Sequence, residues 1–370
     1  MSSSLVNPLP FNPVLNHLPV YQPGRPIEEV ARELGLPAAD IIKLASNENP
    51  LGPSPRALDA MRQAAGQVHL YPDGNAYYLK QHLAGKLGVA PENLILGNGS
   101  NEILEFVGHA LITPGSEVVV SQYCFAVYPI VTHLCGGRLV EVPARDLGHD
   151  LDVMSRAITE RTRVVFVANP NNPTGTLAPA DAVRRLLNAV PSHVLLVMDE
   201  AYLEFLDEPL DLLPEIRSGN RPNLLLTRTF SKVYGLAGLR LGYGIGRADL
   251  VGALEKIRQP FNINALAQAA ALAALDDDEH LRRTRENNRQ GLRDLAAGLE
   301  RLGVHFVPSA ANFILARVGE GSRVFAELQR RGVIVRPMAG YRLPEWIRIS
   351  VGTPAENARC LAALTELLRR

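Results

Sequence analysis

The sequence predicts an α/β protein, with a large domain on a mostly parallel, seven-stranded-type sheet flanked by helices and a smaller α+β domain after it. Three observations carry that expectation. Short apolar runs alternate with helical stretches from about residue 46 to residue 262, the order that lays helices over both faces of a parallel sheet. Two of those runs, 164–168 and 194–198, are apolar throughout, as strands buried on both faces are. Beyond Arg258-Gln259-Pro260-Phe261-Asn262 the pattern changes to two helices, several short strands and a closing helix.

Residues 1–45 are rich in proline, hold one short helical pattern from Pro26 to Leu34, and read as an N-terminal arm leading into the fold. Residues 46–262 form the predicted large domain, with strands over 118–120, 139–142, 164–168, 194–198, 224–227 and 243–245. Residues 263–370 form the predicted small domain. It holds an alanine-rich helix over 266–275, a long charged helix over about 279–302, strands over 305–307, 313–316, 333–335 and 347–351, and a helix from Pro354. The sequence has no internal repeat and no low-complexity tract.

The chain has 370 residues, is 46% hydrophobic and 21% charged, and carries no formal net charge. That balance suits a soluble globular protein and predicts no nucleic-acid or membrane partner. No apolar stretch reaches the length of a membrane span. The N-terminus has neither the charged region nor the apolar core of a secretory signal. Its three cysteines are not in a metal spacing and fit a reduced, cytoplasmic setting. The nine histidines show no metal-ligand pattern either.

Only five lysines occur, and one of them, Lys232, sits in Thr229-Phe230-Ser231-Lys232, eight residues before Arg240 in Gly238-Leu239-Arg240-Leu241-Gly242. Lysine, unlike arginine, can shed its proton and attack a carbonyl. Arg240 can grip a phosphate with paired hydrogen bonds, and the hydroxyls of Thr229 and Ser231 can donate to the same group. Asp199 closes the apolar run 194–198, and in open α/β sheets ligands bind just beyond such strand ends. A carboxylate there can keep the ring nitrogen of pyridoxal 5'-phosphate protonated, and Tyr202 is placed to bond the cofactor's phenolic oxygen. The run 164–168 ends in Asn169-Pro170-Asn171-Asn172-Pro173-Thr174-Gly175, a rigid turn that presents Asn172 as a second donor to that oxygen. Gly97-Asn98-Gly99-Ser100-Asn101 opens a helical pattern. Glycine allows close approach and a helix start offers free N–H groups, so Gly99, Ser100 and Asn101 are candidates for the cofactor phosphate. Arg348 alternates with apolar neighbours on a predicted strand, and an inward-facing arginine there needs an anion; Arg336 is its companion.

The ordered set Asn-Pro-Thr-Gly, Asp-x-x-Tyr, Ser-Lys and Gly-Leu-Arg-x-Gly resembles fold type I, pyridoxal phosphate-dependent aminotransferases over most of the chain. Leu44-Ala45-Ser46-Asn47-Glu48-Asn49-Pro50-Leu51-Gly52, Tyr71-Pro72-Asp73-Gly74, Gly97 to Glu102 and Ala311-Asn312-Phe313 resemble histidinol-phosphate aminotransferases in particular. The resemblance implies that Lys232 carries the cofactor covalently and moves the substrate's proton. It implies that Phe125 stacks on the cofactor ring, with Tyr123 as the rival for that role. It further implies that Arg348 and Arg336 hold the substrate's anionic end, that Tyr21 and Asn312 contact substrate, and that Tyr71 reaches the cofactor phosphate of a second subunit. The expected assembly is a homodimer with shared sites, the arm packing on the partner. The expected substrates are L-histidinol phosphate and 2-oxoglutarate. A phenylalanine or tyrosine aminotransferase, a decarboxylase of a phosphorylated amino acid and a non-catalytic cofactor-binding protein stay open as alternatives.

Overall fold

The computed structural model describes residues 9, 11–16, 18 and 24–368. A first short strand, β1 (Ile42–Lys43), lies apart from the seven that follow it. These are β2 (Leu94–Gly97), β3 (Glu117–Ser121), β4 (Arg138–Val142), β5 (Thr162–Ala168), β6 (Leu195–Asp199), β7 (Leu224–Thr229) and β8 (Gly242–Gly246). The seven form one sheet in the spatial order β2-β8-β7-β6-β5-β3-β4. From β7 to β4 all neighbours run parallel, and β8 runs antiparallel to β7 and β2.

Successive side chains on a strand face opposite ways, so each apolar run feeds two cores. Val164, Phe166, Leu195, Val197 and Leu225 pack with the helices Ser100–Leu111, Val127–Leu134 and Ala248–Glu255. Val165, Val167, Leu196, Met198, Leu224 and Leu226 pack on the other face with Pro55–Ala64, Ala180–Ala189 and Ala265–Ala274. This is why the central strands read as continuous apolar runs.

The smaller layer is built from β9 (Phe306–Val307), β10 (Phe313–Arg317), β11 (Val333–Ile334), β12 (Arg336–Pro337) and β13 (Trp346–Ser350). Four of these pair antiparallel in the order β12-β13-β10-β9, while β11 pairs in parallel with β1. The helices Asp278–Arg301, Gly321–Arg330 and Pro354–Leu368 cover this layer.

Three details differ from the expectation. The strand β2 was not among those predicted, because a four-residue Leu-Ile-Leu-Gly edge strand is too short to show a period. The strand expected over 333–335 ends at Ile334, and a separate strand, β12, follows Val335 in the other sheet. The small domain was expected to begin at residue 263, yet Ala267, Ala270, Ala271 and Ala274 pack into the core of the large sheet. The next core starts only with Leu295 and Leu299, so the changeover falls inside the long helix Asp278–Arg301. An alanine-rich helix packs closely on a neighbour of either layer, and its sequence names no side.

The fold sets up one edge for chemistry. The parallel strands β5, β6 and β7 all end there, at Ala168, Asp199 and Thr229. The helix Ser100–Leu111 begins at the same edge, against β8. A Cβ at Gly242 would lie 2.3 Å from the Ser100 backbone nitrogen, so only glycine lets the helix start sit so near the sheet. Among the described residues, no helix is long and apolar enough to cross a membrane.

Candidate active site

A cavity of about 420 Å³ opens at that edge, between the large sheet and the small layer. Gly99, Ser100, Asn101, Phe125, Asn172, Asp199, Tyr202, Thr229, Ser231, Lys232, Arg240, Arg336 and Arg348 all line it. Residues far apart in sequence thus converge because the strand ends and the helix start share one edge.

Lys232 is half-buried on the cavity wall, three residues past the end of β7. Its Nζ donates to the Ser46 carbonyl at 3.4 Å and lies 5.7 Å from the Tyr202 ring centroid. Burial, reinforced by the nearby Arg348 charge, lowers its pKa from 10.5 to about 8. Far more of the amine than at its ordinary value is therefore unprotonated near neutral pH, the state that attacks a carbonyl or accepts a proton.

One corner of the cavity suits a phosphate. Gly99 is the N-cap of Ser100–Leu111 with φ +76, a conformation that favours glycine. A Cβ there would sit 2.5 Å from Nη2 of Arg240. The Arg240 Nη1 donates to the Ser231 hydroxyl at 3.5 Å and to the Ala237 carbonyl at 3.0 Å. The Thr229 hydroxyl accepts the Ser231 backbone N–H at 3.1 Å. Helix-start N–H groups, two hydroxyls and a guanidinium thus face one spot.

On the sheet side, Asp199 is buried and accepts the Tyr128 hydroxyl at 2.8 Å and the Ala201 N–H at 3.2 Å. Burial raises its pKa, and the Tyr128 hydrogen bond opposes that rise. Such a carboxylate favours a cationic partner in the cavity. Tyr202 accepts Nδ2–H of Asn47 at 2.9 Å, and burial pushes its phenol up to about 12, so it remains a donor. Arg348 donates through Nη1 to Oδ1 of Asn172 at 2.5 Å and through Nη2 to the Ala45 carbonyl at 2.9 Å. Because arginine only donates, that contact fixes the Asn172 amide with its NH2 turned to other partners. Arg336 and Arg348 are directly opposed across β12 and β13.

The remaining predicted residues lie elsewhere. Asn312 is buried behind the cavity wall, where its Nδ2 donates to the Asn47 carbonyl at 3.0 Å. Tyr71 is 83% exposed and stacks on Phe261 at 4.7 Å between ring centroids, outside the cavity of this chain. Tyr21 lies outside the described residues. Of the two rival aromatics, Phe125 lines the cavity; Tyr123 borders an adjoining apolar one.

Two residues were missed as parts of the site. Tyr128, fully buried and stacked on Phe166 at 4.7 Å, reaches Asp199 from the helix Val127–Leu134; nothing in its local sequence marks it. Asn47 uses every polar group it has. Its N–H donates to the Ser350 hydroxyl, its Oδ1 accepts that hydroxyl's proton, its Nδ2 donates to Tyr202 and its carbonyl accepts from Asn312. Its φ of 55 lies in the left-handed region, which asparagine tolerates better than most residues, but no residue of the sequence marks that conformation in advance.

This donor set fits pyridoxal 5'-phosphate. The corner at Gly99, Ser100, Asn101, Thr229, Ser231 and Arg240 matches a phosphate, Asp199 a ring N–H, Asn172 and Tyr202 a phenolate oxygen, Phe125 a ring face, and Lys232 an aldehyde. Because the folded pKa of Lys232 lies below its ordinary value, its buried ammonium costs stability below pH 8, and that cost fades as pH rises from about 8 to 10.5. In cofactor-free protein, pulse acetylation read by mass spectrometry should label Lys232 with a midpoint near pH 8. The Arg348→Met variant should move that midpoint upward, because a neighbouring positive charge is gone. Labelling of Lys232 in step with the other lysines would contradict the assignment.

Comparison with known proteins gives a concordant result. The family described as aminotransferase class I and II matches residues 39–364. The chain is 53% identical to a histidinol-phosphate aminotransferase of Akkermansia muciniphila, over 95% of this chain and 96% of that one. It is 55% identical to histidinol-phosphate aminotransferase 1 of Thiobacillus denitrificans, over 94% and 91%. It is also similar to the crystal structure of histidinol-phosphate aminotransferase from Sinorhizobium meliloti in complex with pyridoxal-5'-phosphate, with a TM-score of 0.88, 34% identity and 99% of both chains covered. The chain belongs to the class I and II aminotransferase family.

Proposed function

We propose that this protein is a pyridoxal 5'-phosphate-dependent aminotransferase that transfers the amino group of L-histidinol phosphate to 2-oxoglutarate, giving imidazole acetol phosphate and L-glutamate in histidine biosynthesis. The observation that carries the substrate reading is the pair Arg336 and Arg348. Like charges directly opposite on neighbouring strands repel, and both line the cavity. A dianionic phosphate turns that repulsion into two charge-assisted contacts. Relatives at 53% and 55% identity bear the histidinol-phosphate aminotransferase name, which supports the same reading.

When bound, the cofactor supplies the carbonyl that takes up the amino group and a ring that withdraws electron density from the carbon bearing it. The chain does the rest. Lys232, in its neutral amine form, takes the proton from the donor's Cα and returns it on the far side of the transferred nitrogen, two bonds away. Asp199, braced by Tyr128, holds its negative charge against the ring nitrogen. Asn172 and Tyr202 hold the phenolic oxygen, and the Arg348 contact to Asn172 links the substrate's anion to that oxygen. Arg336 and Arg348 fix the donor so that its Cα–H faces the lysine.

The functional unit in this reading is a cytoplasmic homodimer. Val68, Leu70, Tyr71, Tyr77, Tyr78 and Phe261 are exposed and largely contiguous in sequence, an apolar surface of the kind that a second copy covers. Tyr71 then reaches the phosphate corner of the partner's site. Mixing Lys232→Ala and Tyr71→Ala proteins, each inactive alone, should restore activity, because a mixed dimer holds one site with both native side chains. No recovery after subunit exchange would contradict shared sites.

The substrate reading is tested by steady-state kinetics with several amino donors. The ratio kcat/KM should be highest for L-histidinol phosphate, and Arg336→Ala should lower it about 10–100-fold for that donor, the range for losing a charged hydrogen bond, with a smaller loss for L-phenylalanine. Preference for phenylalanine would place the enzyme among aromatic aminotransferases. Carbon dioxide release without a keto acid would make it a decarboxylase. Either result would reject the proposal.

A further inference from the structure

The segment from Ala45 to Glu48 crosses the cavity and touches a different part of the machinery at each step. The Ala45 carbonyl accepts from Arg348, the Ser46 carbonyl accepts from Lys232 Nζ, and Asn47 bonds Tyr202. Glu48 comes next and also lines the cavity. Three peptide steps span at most about 10 Å, the scale of a small amino donor. The segment therefore runs from the anion-binding end, past the amine, to a carboxylate.

The negative charge of Glu48 also acts on Lys232, opposing the burial that lowers the pKa of that amine. Among the described residues, the only carboxylates lining the cavity are Asp199, which faces the ring-nitrogen position, and Glu48. The Glu48 Oε1 accepts from Lys43 Nζ at 2.9 Å in a partly exposed pair, and no described residue donates to Oε2. Lys43 lies on β1, which pairs with β11 of the small layer.

An imidazole is the group of the proposed donor that such an oxygen suits. It offers a ring N–H when neutral and two when protonated, with an ordinary pKa close to 6.5. We infer that Glu48 is a specificity-determining residue that accepts a hydrogen bond from the imidazole of the amino donor, while Arg336 and Arg348 hold its phosphate. This rests on the histidinol-phosphate reading above. The same negative charge disfavours a donor whose side chain ends in a carboxylate, so the enzyme gains selectivity for one half-reaction at some cost to the other.

The test compares single-turnover kcat/KM for L-histidinol phosphate and L-glutamate in the holoenzyme, for wild type, Glu48→Gln and Glu48→Leu. Glutamine keeps the shape and an acceptor but loses the charge; leucine loses both. The ratio of histidinol phosphate to glutamate should fall about tenfold or more in Glu48→Leu, with Glu48→Gln between it and wild type. An effect of Glu48 on Lys232 alone, or a general loosening of the segment, would change both donors together and leave the ratio within about twofold. That result would overturn the inference, and the glutamate reaction itself reports whether each variant is folded. If wild type prefers another donor from the start, the substrate reading fails, and the variants then do not bear the blame.

Discussion

The ammonium of Lys232 sits where water is scarce and another cation, Arg348, shares the cavity wall. Both effects favour the neutral amine, and the rest of the site is arranged around that fact. A desolvated lysine is useful only if a carbonyl is delivered to it and held still. In the proposed reaction the corner at Gly99, Ser231 and Arg240 does the holding, at a distance from the chemistry, through groups that carry no proton to lose near neutral pH. The buried Asp199, raised by burial and steadied by Tyr128, completes the pattern: it and Lys232, one acid and one base, are pushed in opposite directions by the same low-dielectric setting.

The two layers of the fold are tied together at the point where this chemistry occurs. Asn47 bonds Ser350 of β13 and Tyr202 of the large domain at once. Arg348, also on β13, reaches back to Ala45 and Asn172. Behind them, the buried pair Arg228 and Glu200 at 2.8 Å braces the strand ends from which Asp199 and Thr229 project. A buried pair of this kind adds little net stability, and removing one partner alone is costly. Its value here is that β6 and β7 stay in register next to the cavity.

Much of this was legible in the chain. The apolar runs at 164–168 and 194–198 announced two-faced strands, and a lysine kept in an arginine-rich chain, eight residues before Arg240, marked the candidate amine that lines the cavity. Residues named from motifs, such as Asn172, Asp199 and Arg348, do meet at one cavity. What was not legible depends on long-range placement. Nothing near Tyr128 says that its hydroxyl meets Asp199, 71 residues away. Asn312 has the right composition for a substrate contact, yet the turn into β10 carries its amide behind the wall, where it supports Asn47. The alanine-rich helix Ala265–Ala274 has small side chains that fit either core, so its allegiance to the large sheet is decided by packing and not by pattern. The strand β2 is too short to have a pattern at all.

The most direct test of the account is to reconstitute the protein with pyridoxal 5'-phosphate, reduce it with borohydride and map the modified lysine by peptide mass spectrometry. The account predicts a single phosphopyridoxyl adduct on the peptide holding Lys232, and none in the Lys232→Ala protein. An adduct on Lys43, Lys80, Lys86 or Lys256 instead, or reduction that leaves Lys232 unmodified, would contradict it.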